Sequence, residues 1–321
     1  MYGIIDIGSN TIRLVLYHVE KSGHGYQISR IMNKKYTASL AGYVTKKGKL
    51  SSAGIQCASD ILCELREIIE SIHLEKVYVF ATASFRNITN TEEVLRRTET
   101  ASGFKIRVLS GEEEANCGFY GLLSEIEQAH KGKEVSSGMQ IDLGGGSTEF
   151  VFFKNHKIKT SLSIPIGSLN LYERFVDSIL PTAAEMKQIR KYVNKQLKNT
   201  KFPEKWDADL LCCEGGTARA LQKLICAAFP ENSGHDFYNT KYLQEWEQYY
   251  LQNPEKCQHD ILKINPERIH TLIPGAIAIR CISDYFGCQR ALTVRNGVRE
   301  GYLLSQLYES GKDSTFAGFM D

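Results

Sequence analysis

The chain has 321 residues, 24% charged and 42% hydrophobic, an ordinary globular composition that excludes disordered, collagen-like and coiled-coil classes. Lys and Arg number 39 against 37 Asp and Glu, so the net charge is +2 and no whole-molecule field draws the chain to nucleic acid or acidic lipid. The length suits two domains or one large one, either able to bury a core without staples.

The spacing predicts a strand over residues 2–6, a polar turn at Gly8-Ser9-Asn10-Thr11 and a second strand over 12–17. A helix follows over 52–72, a buried strand over 77–82, a helix over 91–100, a strand over 105–109 and a helix from Ser110 onward. The polar stretch 128–138 is the expected linker. The opening pattern then returns as Ile141-Asp142-Leu143, Gly144-Gly145-Gly146-Ser147-Thr148 and Phe150-Val151-Phe152-Phe153. IDIGSNTIRLVLY and IDLGGGSTEFVFF share Ile, Asp and Gly at their first, second and fourth places, at an offset of 136 residues. That points to a duplicated α/β unit, each half opening with a hairpin. The second half continues with a helix over 183–198 and a short buried strand over 210–213 running into Gly215-Gly216-Thr217. A helix follows over 220–229, then an irregular charged segment over 231–268. A helix over 273–286 carries Pro274 in its first turn, and a last strand spans 292–294. The alternation predicts α/β layers.

The start of the chain lacks a basic signal-peptide region, and Asp6 interrupts its apolar run. No run reaches the ~18 apolar residues of a membrane helix. Nine cysteines without a CxxC, two of them adjacent at Cys212 and Cys213, read as reduced thiols packed as small hydrophobes. A cytoplasmic protein is expected.

A turn rich in Gly, Ser and Thr offers several backbone N–H groups and hydroxyls to one anion. The residues so placed are Gly8, Ser9, Asn10 and Thr11 in the first loop, and Gly144, Gly145, Gly146, Ser147 and Thr148 in the second. A carboxylate beside that anion would repel phosphate, so Asp6 and Asp142 suggest an intervening divalent cation, Mg²⁺ being held by carboxylates, water and phosphates. The plain alternative is a flexible turn; two matching copies favour the anion site, and two such hairpins across a cleft would clamp a polyanion. Glu149 would complement Asp142 as an ion ligand or water-orienting group, or stand as a solvated strand residue. Ser110 with Glu113 fits a capping box at the start of a helix, which also accounts for Glu112. Glu114 is left over, either a first-turn carboxylate or a base for attacking water. Arg86 would grip phosphate or form a surface salt bridge. Gly215-Gly216-Thr217 reads as a strand-to-helix turn, or as an anion site with Thr217 as cap. The pairs His235-Asp236 and His259-Asp260 are read as structural, and no P-loop or nucleophile-elbow pattern occurs.

In order along the chain stand Asp6-Ile7-Gly8-Ser9-Asn10-Thr11, Thr82 with Arg86 and Asn90, Ser110-Gly111-Glu112-Glu113-Glu114-Ala115, Asp142 through Glu149, Ile164-Pro165-Ile166-Gly167, Gly215-Gly216-Thr217, Ile273-Pro274-Gly275 and Arg299-Glu300-Gly301. With this set the chain resembles the exopolyphosphatase/guanosine pentaphosphate phosphatase (Ppx/GppA) family of the actin-like ATPase superfamily, over nearly its whole length. The resemblance implies an α/β fold of two ribonuclease-H-like domains around a central cleft, residues 1–127 plus about 304–321 and residues 128–303. It implies Mg²⁺-dependent attack of water on a terminal phosphoryl group. It makes Glu114 the general base, Asp142 and Glu149 the holders of metal and water, and Arg86 a phosphate contact. A homodimer is implied too.

Two departures stand out. The run Ser168-Leu169-Asn170-Leu171 has Asn170 where the family carries arginine, which would weaken the grip on a long polyanion, and Val294 stands in place of a serine. The chain ends soon after Arg299-Glu300-Gly301, like the short members without a helical C-terminal domain. The function expected first is release of terminal phosphate from inorganic polyphosphate, with removal of the 5′ γ-phosphate of guanosine pentaphosphate as the alternative. More distant are an actin-like small-molecule kinase, against which the water-directed Glu114 motif speaks, and a non-catalytic alarmone-binding regulator, against which Glu114, Asp142 and Glu149 speak.

Overall fold

The computed structural model describes residues 1–311 apart from 23–24, 130, 203–205, 207–208, 234 and 236. The chain divides into two compact units: Met1–Tyr120 with the segment from Val298 onward, and Gly121–Gly297.

The first unit contains β1 (Tyr2–Ile7), β2 (Thr11–Ser22), β3 (Gly25–Thr37), α1 (Ser52–Glu70), β4 (Lys76–Ala81), α2 (Ala83–Arg86), α3 (Thr91–Ser102), β5 (Arg107–Val108) and the start of α4 (Gly111–Gln128). Its sheet runs β3-β2-β1-β4-β5. The first three strands are antiparallel, and β4 and β5 run parallel to β1. Both faces are covered, so β1 reads as a nearly continuous apolar run. Ile5, Ile7, Leu14 and Leu16 pack with Ile55, Leu62 and Leu65 of α1. Their neighbours Ile4, Val15 and Tyr17 turn to the other face, against Tyr302, Leu303 and Leu307 of α11 (Val298–Gly311).

The second unit holds β6 (Ser137–Leu143), β7 (Thr148–Lys154), β8 (Lys157–Ile164), α5 (Ser168–Phe175), α6 (Ala183–Asn199), β9 (Leu210–Glu214), α7 (Gly215–Ala228), β10 (Phe237–Asn239), α8 (Lys241–Gln252), α9 (Pro254–Ile264), α10 (Leu272–Phe286) and β11 (Arg290–Thr293). Its sheet runs β10-β11-β9-β6-β7-β8. Without the added β10, this is the order and direction of the first sheet. The repetition extends to detail. The β2–β3 register shifts at Leu16/Tyr17 and the β7–β8 register at Phe152/Phe153, again 136 residues on. The duplication seen in the sequence is therefore structural.

The structure corrects some expectations. Residues 231–268 are not irregular: β10, α8 and α9 lie there. The apolar pattern of α8 is sparse, with Leu243, Trp246 and Tyr250 buried among charged and amide residues. The third strand of each hairpin, β3 and β8, is amphipathic and gave no clear signal, and β5 is only two residues long. The stretch 128–138 lies inside the second unit, and the division falls within α4. Of the expected C-terminal return, 312–321 lies outside the described residues. All nine cysteines are free, and Cys212 and Cys213 are buried in β9 with their pKa values raised by that burial. Among the described residues no helix is long and apolar enough to cross a membrane.

Candidate active site

In the first loop the Gly8 N–H donates to Thr11 O at 2.9 Å and closes the turn between β1 and β2. The segment after β3 then ties back the loop carbonyls. Ala38 and Ser39 N–H groups donate to Asn10 O at 3.0 and 2.9 Å, and Ala41 N–H to Ser9 O at 3.1 Å. Across a trans peptide the carbonyl of one residue opposes the N–H of the next. The N–H groups of Asn10 and Thr11 therefore point away from this anchor.

The second loop uses the same device more fully. The first turn of α5 donates Ser168 N–H to Gly144 O (2.9 Å) and Leu169 and Asn170 N–H to Gly145 O (3.0 and 3.1 Å). Asn170 Nδ2 donates to Gly146 O at 3.0 Å. By the same peptide geometry the N–H groups of Gly145, Gly146 and Ser147 face the other way, a nest of donors suited to an anion. Gly167 permits this approach: a Cβ there would lie 2.1 Å from Gly145 O. The Ile164-Pro165-Ile166-Gly167 motif is thus part of the loop's support. Asn170, read as a lost positive charge, is a structural clamp on the loop.

The two loops differ in their charges. Asp6 and Asp142 occupy matching places at the ends of β1 and β6. Asp6 Oδ2 accepts a bond from Arg299 Nη1 at 2.8 Å, and its register partner on β2 is Arg13. Burial opposes the charge on Arg299, but Asp6 and Glu300 outweigh it and hold its pKa above the ordinary arginine value. The neighbouring Glu300, 1% exposed, accepts from Tyr17 Oη and Arg30 Nη2, both at 2.7 Å. The Arg299-Glu300-Gly301 motif thereby ties α11 to β1, β2 and β3. In the second loop the register partner of Asp142 is Glu149 on one side and Glu214 on the other. Glu149 is 3% exposed, so it is no solvated strand residue; its Oε1 accepts from Ser147 and Ser163 hydroxyls, both at 2.7 Å. Glu214 Oε2 accepts from Gln140 Nε2 at 2.9 Å.

At the end of β9, Gly215 has φ +94, and a Cβ there would lie 2.7 Å from Asp142 Oδ1. The glycine leaves the Asp142 carboxylate room that any other residue would fill. The cap of α7 is Glu214 rather than Thr217. Thr217 is buried within the first turn and its hydroxyl accepts from Arg268 Nη1 at 3.1 Å. Thr148 is likewise buried, its hydroxyl donating to Ile166 O. These two hydroxyls belong to the frame. Burial and the nearby Arg219 draw the Arg268 pKa down to about 10, against the pull of Asp142.

The candidate base lies in the first unit. The capping box at the start of α4 is present: Ser110 N–H donates to Glu113 Oε2 (2.8 Å) and Glu113 N–H to Ser110 Oγ (3.1 Å). Arg107 also binds Glu113 at 2.6 Å. Glu112 is exposed, whereas Glu114 is 7% exposed. Glu114 Oε2 accepts from Arg86 Nη1 at 2.6 Å, and the same Nη1 donates to Leu109 O at 3.0 Å. Arg86 is no solvent-exposed ion pair: its Nη1 holds Glu114. Asn90 is structural, exchanging bonds with the Leu50 backbone at 2.9 and 3.1 Å.

Among the described residues no three or more His, Cys, Asp or Glu side chains form a metal cage. Mg²⁺ takes only one or two protein carboxylates, with water and substrate phosphates completing the shell. The facing pair Asp142 and Glu149, beside the second loop's N–H groups and with Gly215 presenting no Cβ against the Asp142 carboxylate, fits that requirement. Asp6 is already paired with Arg299. The pair at His259 is a 3.8 Å contact on α9 with an exposed histidine, and Asp236 of the other pair lies outside the described residues. Arg268 and Ser163 escaped the sequence reading, the first because it sits in the segment taken as irregular, the second because it is a polar residue on an unrecognised strand.

Residues 17–310 match the model of the Ppx/GppA phosphatase family. The chain belongs to the Ppx/GppA phosphatase family. It is 23% identical over 318 residues to exopolyphosphatase 1 of Mycobacterium tuberculosis, covering 98% of this chain and 90% of that one. It is 26% identical over 308 residues to a bifunctional 3-dehydroquinate synthase/phosphatase of Fusobacterium nucleatum, covering 94% of this chain but spanning 46% of that protein's length. Its fold matches the Aquifex aeolicus family member with a TM-score of 0.76 at 25% identity, over 97% of this chain and 98% of that one. An exopolyphosphatase from Cytophaga hutchinsonii shares the fold at TM-score 0.77 and 20% identity, over 96% and 98%. As a Ppx/GppA phosphatase the chain is classed with hydrolases of phosphoanhydrides.

Proposed function

We propose that the chain is a Mg²⁺-dependent exopolyphosphatase that releases terminal phosphate from inorganic polyphosphate. The observation carrying this reading is Glu114, buried at the first turn of α4 and fixed by Arg86 at 2.6 Å. A carboxylate so held has one orientation from which to take a proton. The water oxygen bonds to the terminal phosphorus, its proton passes to Glu114, and the bond from that phosphorus to the bridging oxygen breaks. Orthophosphate leaves with a chain one phosphate shorter.

The reading assigns the N–H groups of Gly145, Gly146 and Ser147, with those of Asn10 and Thr11, to the phosphate oxygens, where charge grows in the transition state. Asp142 and Glu149 would hold Mg²⁺, with Ser147 and Ser163 orienting Glu149. Bound Mg²⁺ supplies neutralising charge at the transferring phosphoryl group. Gly215 and Gly216 shape the turn beside Asp142. The sequences of mycobacterial exopolyphosphatase relatives support the substrate class. The proposal carries with it a cytoplasmic setting and a homodimer, the latter open to light scattering.

Phosphate release with Mg²⁺ from long-chain polyphosphate and from guanosine pentaphosphate, measured in parallel, tests it. Release from polyphosphate, lost in Glu114→Ala, supports the proposal. Release from the nucleotide alone replaces the substrate and keeps the chemistry. ATP consumption dependent on a hydroxyl or carboxylate acceptor replaces the chemistry.

A further inference from the structure

The segment between β3 and α1 leaves the first sheet at the end that carries the first loop. Thr37, the last residue of β3, pairs with Thr11, and Ala81, the last of β4, pairs with Ile7. After its N–H bonds to Asn10 O and Ser9 O, the segment makes one 3₁₀ turn over Leu40–Tyr43 and doubles back, Val44 bridging to Leu50. The tip is Thr45-Lys46-Lys47-Gly48-Lys49, three lysines within four residues. Gly48 N–H donates to Thr45 O and Thr45 N–H to Lys49 O, both at 2.8 Å, and Lys49 N–H donates to Thr45 Oγ1 at 3.2 Å. Gly48 takes φ +74, the left-handed conformation that glycine adopts without a Cβ penalty. Thr89, three residues after Arg86, holds the tip from outside. Its N–H donates to Gly48 O at 2.8 Å and its hydroxyl to Lys47 O at 3.4 Å, while Asn90 clamps Leu50. One tight turn is thus braced against the first loop on one side and against the segment that carries Arg86 on the other.

The backbone of this turn is tied and its cationic side chains are not. Lys46, Lys47 and Lys49 are exposed, and among the described residues none has an ion pair or other side-chain partner. The carboxylates on the neighbouring element are Glu92 and Glu93 at the start of α3. Glu93 accepts from Asn90 Nδ2 at 3.2 Å and lies 3.6 Å from Arg97 Nη1, and neither glutamate pairs with a lysine. Like charges held so close repel one another. The turn itself needs Thr45, Gly48 and Thr89 but no lysine, so the three charges serve something outside the fold. A multiply charged anion is what such a cluster attracts. Lysine suits an irregular polyanion, being a point charge on a flexible stem with no planar match to satisfy. Ala41, bonded to Ser9 O, is five residues from Lys46, so the first of the lysines stands within about 18 Å of the first loop along the chain.

We propose that Lys46, Lys47 and Lys49 form a second anchoring site for long polyphosphate, holding phosphates distant from the one released and favouring long chains over short ones. The inference rests on the proposed hydrolysis of polyphosphate and adds to it a determinant of chain length. A chain gripped at this turn also stays bound when orthophosphate leaves.

The test is the triple variant Lys46→Gln, Lys47→Gln, Lys49→Gln in the full chain. Phosphate release is measured from long-chain polyphosphate and from tripolyphosphate over a range of salt concentrations, with thermal unfolding as a control. Exposed side chains without partners are expected to leave the fold intact. KM for the long chain is expected to rise about tenfold or more, and its slope against salt on logarithmic axes to flatten by about 2, as for lost contacts to a polyanion. KM for tripolyphosphate is expected to change less than about threefold, and the corresponding triple arginine variant to restore the long-chain KM. An unchanged long-chain KM overturns the inference and leaves the proposed hydrolysis standing. An equal rise for both substrates overturns it too, because the lysines then act without regard to chain length. Single-stranded RNA that competes with long polyphosphate in the wild type but not in the variant, at equal phosphate concentration, assigns the turn to nucleic acid and overturns it. A wild-type chain that releases phosphate from neither polyphosphate overturns the hydrolysis itself and this inference with it.

Discussion

Arg86 Nη1 lies 2.6 Å from Glu114 Oε2, and both side chains are largely buried, 18% and 9% exposed. An arginine on a four-residue helix thus fixes a carboxylate on the first turn of another. Breaking a buried pair by deleting one partner leaves the other charge uncompensated, at a cost of about 3 kcal/mol or more. Arg86→Ala is therefore expected to lower both stability and kcat, and Arg86→Lys to restore more of the first than of the second. Urea unfolding beside steady-state kinetics checks this; unchanged kcat in Arg86→Ala contradicts it.

Gly167→Ala would place a methyl group within 2.1 Å of Gly145 O. The α5 terminus and the second loop would have to separate, as in other overpacked sites that cost about 1–3 kcal/mol. The expected outcome is a lower unfolding midpoint together with a raised KM, because the same bonds aim the loop N–H groups. A silent Gly167→Ala would show that α5 does not set the loop.

Gly215→Ala combines a left-handed backbone, φ +94, with a Cβ 2.7 Å from Asp142 Oδ1. The backbone strain alone is worth roughly 1–2 kcal/mol. Displacement of Asp142 is expected to weaken Mn²⁺ binding about tenfold. Calorimetric titration of the variant measures it.

Glu300 predicts a pH dependence. Burial alone would raise its pKa, but Arg299, Tyr17 and Arg30 more than reverse that and hold it below the ordinary value of 4.5. For a carboxyl depressed in the folded state, the stabilisation is complete above the unfolded-state pKa and is lost as pH falls through the folded one. Stability of the wild type is expected to fall below about pH 4.5, and Glu300→Gln to be less stable at neutral pH with a flatter acid limb. Denaturation midpoints between pH 3 and 7 test the sign.

The hairpins were legible in the sequence because their requirements are local. A tight turn that aims N–H groups at an anion needs small residues, and strands covered on both faces read as apolar runs. Ser110 and Glu113 were legible for the same reason, as a capping box closes within three residues. The burial of Glu114 was not, since it depends on Arg86, 28 residues away. Nor was the role of Arg299, whose partner Asp6 is 293 residues distant. The helices α8 and α9 were hidden by sparse apolar positions in a charged segment, and Arg268 with them. Asn170 shows the converse: a residue that departs from the family pattern looked like a lost charge until its amide was found clamping Gly146 O.

The account turns on Glu114 as the base, and Glu114→Gln is its most direct test because the amide keeps the shape and removes the proton acceptor. Phosphate release from polyphosphate with saturating Mg²⁺ is expected to fall in kcat by about 10²–10⁴, with KM within about threefold, while the lost charge opposite Arg86 lowers the unfolding temperature without abolishing the fold. A folded Glu114→Gln enzyme that retains kcat within about threefold of the wild type would contradict the account.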